Sequence, residues 1–129
     1  IFWMGDSRGY LLRNNIVDEI TTDDNLKNKL LNESASPLAL ERFREYLLGI
    51  TSYIGLTTNL PIGYKIIEIP DNSILILTSD GLHNFIDMNK VFWELKYTKN
   101  LAASSKEVIK TALRNGSDDN ISFAAMLNF

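Results

Sequence analysis

Ile74-Leu75-Ile76-Leu77-Thr78-Ser79-Asp80-Gly81-Leu82 is the stretch from which the fold can be worked out. Four consecutive apolar residues without polar alternation predict a buried strand covered on both faces, as between two layers. The segment Gly81–Ile86 is predicted to form a helical turn. Asp80 therefore stands where a strand meets a helix, a junction whose rigid backbone can hold a functional side chain in place.

Two further aspartates lie at similar junctions. Asp6 belongs to the segment GDSRGY (residues 5–10), and Asp119 belongs to GSDDNI (residues 116–121). Three carboxylates from distant parts of one chain suit a hard divalent cation, because Mg²⁺ and Mn²⁺ prefer oxygen ligands. Each aspartate also has a plainer interpretation. Asp80 could cap a helix, Asp6 could form an Asx-turn, and Asp119 with Asp118 could form a solvated turn.

Composition narrows the class of protein. Hydrophobic residues make up 45% of the 129 residues and charged residues 22%, which is typical of a globular domain. The formal charge of −3, with no basic run, argues against nucleic-acid binding. The chain has no cysteine, which excludes a disulfide, a thiolate metal site and a cysteine nucleophile. No apolar run approaches the ~20 residues of a membrane-spanning helix.

Periodicity and turn residues predict an α+β fold with mostly antiparallel strands. The predicted strands are Ile1–Gly5 and Tyr10–Arg13, joined as a hairpin, then Ile16–Thr21, Tyr64–Ile69, Ile74–Leu77 and Asn120–Leu127. A second turn, between Tyr10–Arg13 and Ile16–Thr21, is predicted at Asn14-Asn15, since Asn tolerates positive φ. The predicted helices are two segments between Leu26 and Leu48, then Asn89–Tyr97 and Ser104–Arg114. The first is expected to start at Asp23-Asp24-Asn25, and the last to be capped by Ser104 or Ser105. The inward residues of Asn89–Tyr97 are predicted to be Val91, Phe92 and Leu95. Thr57–Pro61 is predicted to be a loop, and Trp3, Phe92 and Trp93 are predicted to be core aromatics.

In this order and context the three motifs resemble the metal-dependent protein phosphatase family, type 2C (the PPM family). The resemblance covers the whole chain but only about the C-terminal half of a family domain. Because the chain opens on Ile1 rather than Met, we expect residues 1–129 to be the C-terminal part of a single PPM-type domain. The family fold is an antiparallel β-sandwich flanked by helices, in α-β-β-α layers, which this half would leave incomplete.

The resemblance also implies which residues form the site. Asp80 and Asp119 match metal ligands of the family, and Asp6 matches a residue associated with an additional metal position. Structural roles within the motifs are implied for Gly5, Ser7, Arg8, Gly81 and Asn120. No catalytic residue is expected in this half, since the family's phosphate-binding Arg and candidate acid His lie in the other half. His83 is therefore expected to have a surface or capping role.

The activity implied is metal-dependent hydrolysis of phosphoserine and phosphothreonine in proteins by a metal-activated water, with two or more Mn²⁺ or Mg²⁺ ions. The implied partners are phosphorylated proteins, with a Ser/Thr kinase acting in opposition, in the cytoplasm, and with no nucleic acid or membrane contact in this segment. This chain alone is expected to be inactive. The alternative is a phosphatase-like scaffold or regulatory domain that binds partners without catalysis.

Overall fold

A computed structural model describes residues 1–56 and 62–128, and the loop predicted at Thr57–Pro61 lies outside the described residues. The strands are β1 (Phe2–Trp3), β2 (Arg8–Arg13), β3 (Ile16–Glu19), β4 (Gly63–Tyr64), β5 (Ser73–Thr78) and β6 (Phe123–Asn128). The helices are α1 (Leu26–Asn32), α2 (Pro37–Arg42), α3 (Asp80–His83), α4 (Met88–Tyr97) and α5 (Leu101–Arg114), with a 3₁₀ turn at Arg44–Tyr46. The predicted mixture of helices and antiparallel sheet is confirmed.

The residues divide into two compact units. The first unit comprises Ile1–Ser7 and Thr21–Ile66, and the second comprises Arg8–Ile20 and Ile67–Phe129. The second unit contains a four-stranded antiparallel sheet in the order β3-β2-β5-β6. Its central pair places Tyr10 opposite Ile76. Two strands far apart in sequence therefore lie side by side in the middle of this sheet.

The first predicted hairpin is wrong, whereas the second is confirmed. β1 pairs with β4 through Phe2 and Tyr64, and not with β2. β2 instead pairs with β3, and the turn between them holds Asn14 at φ 51° and Asn15 at φ 63°. Two consecutive positive-φ residues match the right-handed twist of a two-residue hairpin, and Asn is among the few residues that tolerate them.

The core of the second unit lies between one face of the sheet and the helices α3, α4 and α5. Its buried residues are Tyr10, Leu12, Ile74, Ile76, Leu82, Met88, Val91, Phe92, Leu95, Val108 and Ala112. The opposite face is more open, since Leu77 is 42% exposed and Met126 is 48% exposed. The prediction that the Ile74–Leu77 strand is covered on both faces is therefore wrong within the described residues. Successive side chains of a strand point to opposite faces of the sheet, so Ile74 and Ile76 point to the helices and Leu77 points away.

In the first unit, polar caps set the beginnings of the helices. Asn25 caps α1 by accepting a hydrogen bond from the Asn28 amide, and Ser36 caps α2 by accepting one from the Ala39 amide. Both caps provide a partner for an amide that would otherwise lack one at a helix start. The helices predicted between Leu26 and Leu48 are confirmed, although the second ends earlier and continues as the 3₁₀ turn.

The second unit's two longer helices depart from prediction in detail. The predicted inward face of α4 is confirmed, but Trp93 is 42% exposed and stacks on Tyr97 instead of entering the core. α5 begins three residues before the predicted start, and its cap is Asn100 rather than a serine. Among the described residues, no helix has the length and apolar character needed to cross a membrane.

Candidate metal site

The Asp80 loop (residues 78–81) is positioned by the end of the central strand β5. β5 ends at Thr78 and α3 begins at Asp80, so the carboxylate stands two residues beyond the end of the strand. Asp80 is half-buried, and its Oδ1 accepts a hydrogen bond of 2.9 Å from the Gly81 amide. The predicted junction of strand and helix is therefore present.

The Asp119 loop (residues 117–122) connects the end of α5 to the edge strand β6. Gly116 has φ +96°, a conformation that favours glycine, and it turns the chain out of the helix. Asp119 is exposed, and its Oδ1 accepts a hydrogen bond of 2.6 Å from the Asn120 amide. Its neighbour Asp118 is exposed as well, so exposure does not show which of the two aspartates is the better candidate ligand.

The two loops are in direct contact within the second unit. The Ser79 amide donates to the Ser122 carbonyl at 3.0 Å, and the Ser79 hydroxyl donates to the Asn120 carbonyl at 3.0 Å. A Cβ placed on Gly81 would lie only 2.5 Å from the Asn120 carbonyl oxygen. The carboxylates of Asp80 and Asp119 therefore project from adjoining stretches of backbone, although 38 positions (119 minus 80, less one) separate them in sequence.

Asp6 belongs to the first unit, where its segment is braced by another aspartate. Gly5 has φ +84°, its amide donates to Asp24 Oδ2 at 2.9 Å, and its carbonyl accepts from the Asp24 amide at 2.8 Å. Asp6 itself is half-buried, and Ser7 is exposed. Sequence reasoning assigned Asp24 only to a helix start and missed this brace. Nothing in the sequence around Asp24 indicates that it would contact Gly5. The role of Asp6 as a metal ligand stays a prediction.

Arg8 and His83 lie in the second unit and contact neighbouring side chains. Arg8 opens β2, and its Nε lies 3.6 Å from Glu19 Oε1 on the adjacent strand β3. His83 is half-buried in α3, and its ring lies edge-on to Tyr10 at 6.5 Å between centroids. Arg8 thus links two strands of the sheet, and the ring of His83 packs beside the core residue Tyr10.

The donor chemistry of the site fits a hard divalent ion, but the set of ligands is incomplete. Asp80 and Asp119 offer carboxylate oxygens, the ligands that Mg²⁺ and Mn²⁺ prefer. Across residues 1–56 and 62–128, no three His, Asp or Glu side chains form a cluster that could hold a metal ion. Near-octahedral coordination at this site would therefore need further oxygen ligands from water or from protein outside this chain.

Comparison of sequences links the chain to named phosphatases. It is 36% identical over 130 residues to a Mycoplasma genitalium protein whose name marks it as a candidate protein phosphatase, covering 99% of this chain and 50% of that protein. It is 30% identical over 120 residues to the serine/threonine phosphatase stp of Listeria welshimeri, and the match covers 92% of this chain and 47% of that protein. No protein-family model matches the sequence. The chain spans about half the length of the curated relatives it matches.

Solved structures show the same relationship. The Mycobacterium tuberculosis serine/threonine phosphatase PstP/Ppp aligns with a TM-score of 0.71 at 28% identity, covering 98% of this chain and 53% of that one. The PstP catalytic domain solved with two manganese ions aligns with a TM-score of 0.68 at 25% identity, and the alignment covers 95% of this chain and 50% of that one. The S. agalactiae serine/threonine phosphatase shares the fold with a TM-score of 0.79 at 23% identity, and the alignment covers 98% of this chain and 52% of that one.

Matches to phosphatases in both sequence and fold agree with the GDSRGY, SDGL and GSDDNI motifs. In sequence and fold the chain is therefore similar to serine/threonine protein phosphatases of the PPM family, over about half the length of these relatives.

Proposed function

We propose that the intact protein containing this chain removes phosphate from phosphoserine and phosphothreonine in proteins, in a reaction that depends on Mn²⁺ or Mg²⁺. The observation that carries the proposal is the contact between the Asp80 loop and the Asp119 loop, each of which carries a candidate carboxylate ligand. The phosphatase names of the relatives support it. Residues 1–129 would form the C-terminal part of a single PPM-type domain.

In this proposal Asp80 and Asp119 hold one divalent ion, and Asp6 contributes to an additional one. Bound ions of this kind activate a water as nucleophile and neutralise charge on the phosphoryl oxygens in the transition state. This chain's own contribution is to present the carboxylates on a rigid frame. Gly81 allows the two loops to approach, and the Asn120 and Gly81 amides orient one oxygen of each carboxylate.

The chain alone would be inactive. It supplies fewer carboxylates than a catalytic pair of ions requires, as the lack of a three-ligand cluster in its described part indicates. One face of its four-stranded sheet also leaves Leu77 and Met126 partly exposed. A matching sheet and the remaining ligands would come from the other half of the domain. Substrates would be phosphorylated proteins in the cytoplasm, with a Ser/Thr kinase acting in opposition.

The experiment is hydrolysis of a phosphothreonine peptide by the intact protein, with and without Mn²⁺. We expect Asp80→Asn and Asp119→Asn each to abolish the Mn²⁺-dependent rate. Asp118→Asn is the matched control, because it removes the neighbouring carboxylate, which is also exposed, and it is expected to retain activity.

Two results would contradict the proposal. Intact protein that folds and binds Mn²⁺ but never releases phosphate would instead support the non-catalytic scaffold. Mn²⁺-dependent hydrolysis of an aryl phosphate by the 129-residue chain alone, abolished by Asp80→Asn, would refute the inactivity of the fragment.

A further inference from the structure

Ser79 occupies a capping position but does not act as a cap. It is the residue before α3, with the extended backbone of an N-cap, yet its side chain makes no hydrogen bond to the helix. Serine at this position commonly accepts a hydrogen bond from an amide two or three residues ahead. The hydroxyl of Ser79 instead makes its hydrogen bonds to residues more than 40 positions away in sequence.

The hydroxyl of Ser79 is used in both directions. It donates to the Asn120 carbonyl at 3.0 Å and accepts from the Ser122 amide at 3.0 Å. Its own backbone amide donates to the Ser122 carbonyl at 3.0 Å. Ser79, immediately before Asp80, is therefore hydrogen-bonded both to Asn120, the residue after Asp119, and to Ser122, the residue before β6.

Ser117 makes the reciprocal contact from the Asp119 loop. Its hydroxyl donates to the Gly81 carbonyl at 2.8 Å, and the residue is 8% exposed. The pair Asp80–Gly81 thus has a serine hydrogen bond on each side, one from Ser79 and one from Ser117. In both bonds a side-chain hydroxyl of one loop meets backbone of the other.

We propose that Ser79 and Ser117 are positioning residues that fix the separation of the Asp80 and Asp119 carboxylates for metal binding. The inference rests on the proposed function, since it assigns the two serines a role toward the same ion. Neither serine touches the ion in this account. Each acts through the backbone of a ligand loop, and loss of groups that orient metal ligands typically weakens metal affinity by about 10–100-fold.

The test is Mn²⁺ affinity of the intact protein, measured by water-proton relaxation, for Ser79→Ala and Ser117→Ala. Each is expected to weaken Mn²⁺ binding by about tenfold or more. Ser79→Thr keeps the hydroxyl and is expected to restore affinity. Ser73→Ala is the matched control, because Ser73 lies at the opposite end of β5, is fully buried and donates to the Pro70 carbonyl. It is expected to lower stability and to leave Mn²⁺ affinity unchanged.

The outcomes separate this inference from the function on which it rests. If Asp80→Asn leaves Mn²⁺ affinity intact, the proposed metal site is wrong. If Asp80→Asn abolishes binding while folded Ser79→Ala or Ser117→Ala binds Mn²⁺ as tightly as the wild type, the positioning role is refuted and the metal site stands. Should one alanine variant fail to fold, the other decides the question, because the two hydrogen bonds are made from opposite loops. Equal weakening by Ser73→Ala would also refute the role, since affinity would then follow stability alone.

Discussion

Replacement of Gly81 by alanine tests the contact between the two aspartate loops. The added Cβ would lie 2.5 Å from the carbonyl oxygen of Asn120 and 3.1 Å from its carbonyl carbon. Real Cβ contacts are essentially never shorter than 3.0 Å, so the loops would have to separate by about 0.5 Å or more. The obstacle is backbone rather than a flexible side chain, and the shift cannot be absorbed by a rotamer change.

The expected change in the free energy of unfolding combines effects of opposite sign. Forcing extra volume into a packed contact costs about 1–3 kcal/mol. Loosening the hydrogen bond between Ser79 and Asn120 removes roughly 0.5–1.5 kcal/mol more. Alanine in the relaxed backbone of α3 restores about 0.4–1 kcal/mol by restricting the unfolded chain. We expect a net loss of roughly 1–3 kcal/mol in the free energy of unfolding, because the steric cost exceeds the entropic gain.

The assay combines urea denaturation of the intact protein with Mn²⁺ affinity. Gly55→Ala is the control, since Gly55 has φ +99° and nothing within 4 Å of the added Cβ. It should lose stability from left-handed strain alone, by about 1–2 kcal/mol, and keep its Mn²⁺ affinity. Gly81→Ala should lose both stability and Mn²⁺ affinity. A Gly81→Ala protein as stable as the wild type, with unchanged Mn²⁺ affinity, would refute the close approach of the loops.

Two further predictions concern stability. Phe92→Ala should lower the free energy of unfolding, measured by urea denaturation, by about 3–5 kcal/mol, because Phe92 is 1% exposed in the core. Trp93→Ala should cost far less, because Trp93, the neighbour of Phe92, is 42% exposed. Similar losses at both positions would contradict the assigned inward face of α4. Hydrogen bonds from the side chain and then the backbone of Asn89 hold the pKa of Asp87 below its usual value of 3.8. A carboxyl with a lowered folded pKa contributes stability above its unfolded pKa and loses it as pH falls through the folded pKa. Asp87→Ala should therefore cost about 0.5–2 kcal/mol at neutral pH, and the deficit should shrink in acid below about pH 4; a deficit independent of pH would contradict the charged cap.

Local signals in the sequence located most helices and turns. Asn14-Asn15 predicted its hairpin because the two positive φ angles are a property of the turn itself. Val91, Phe92 and Leu95 predicted the inward face of α4 because helical spacing alone places them together. The metal-site prediction also depended on local features, since Asp80 follows a strand and Asp119 follows a helix end.

The errors arose where a distant partner decided the structure. β1 pairs with Gly63–Tyr64 rather than with the next strand, and no turn signal encodes a partner some 60 positions away. The strand Ile74–Leu77 looked covered on both faces because an apolar run does not show which layers are present. Sequence reasoning did not single out Ser79, whose hydrogen-bond partners lie on the Asp119 loop. Pairing across the sheet brings the two loops together, and that pairing is not a local property of either loop.

The most direct test of the metal site is the position of Mn²⁺ in crystals of the intact protein, located by anomalous scattering. We predict a manganese peak within roughly 2.5 Å of carboxylate oxygens from both Asp80 and Asp119, the distance expected for direct oxygen coordination. In crystals of Asp119→Asn that peak should be lost or greatly weakened. Manganese bound with neither Asp80 nor Asp119 as a ligand would contradict the account.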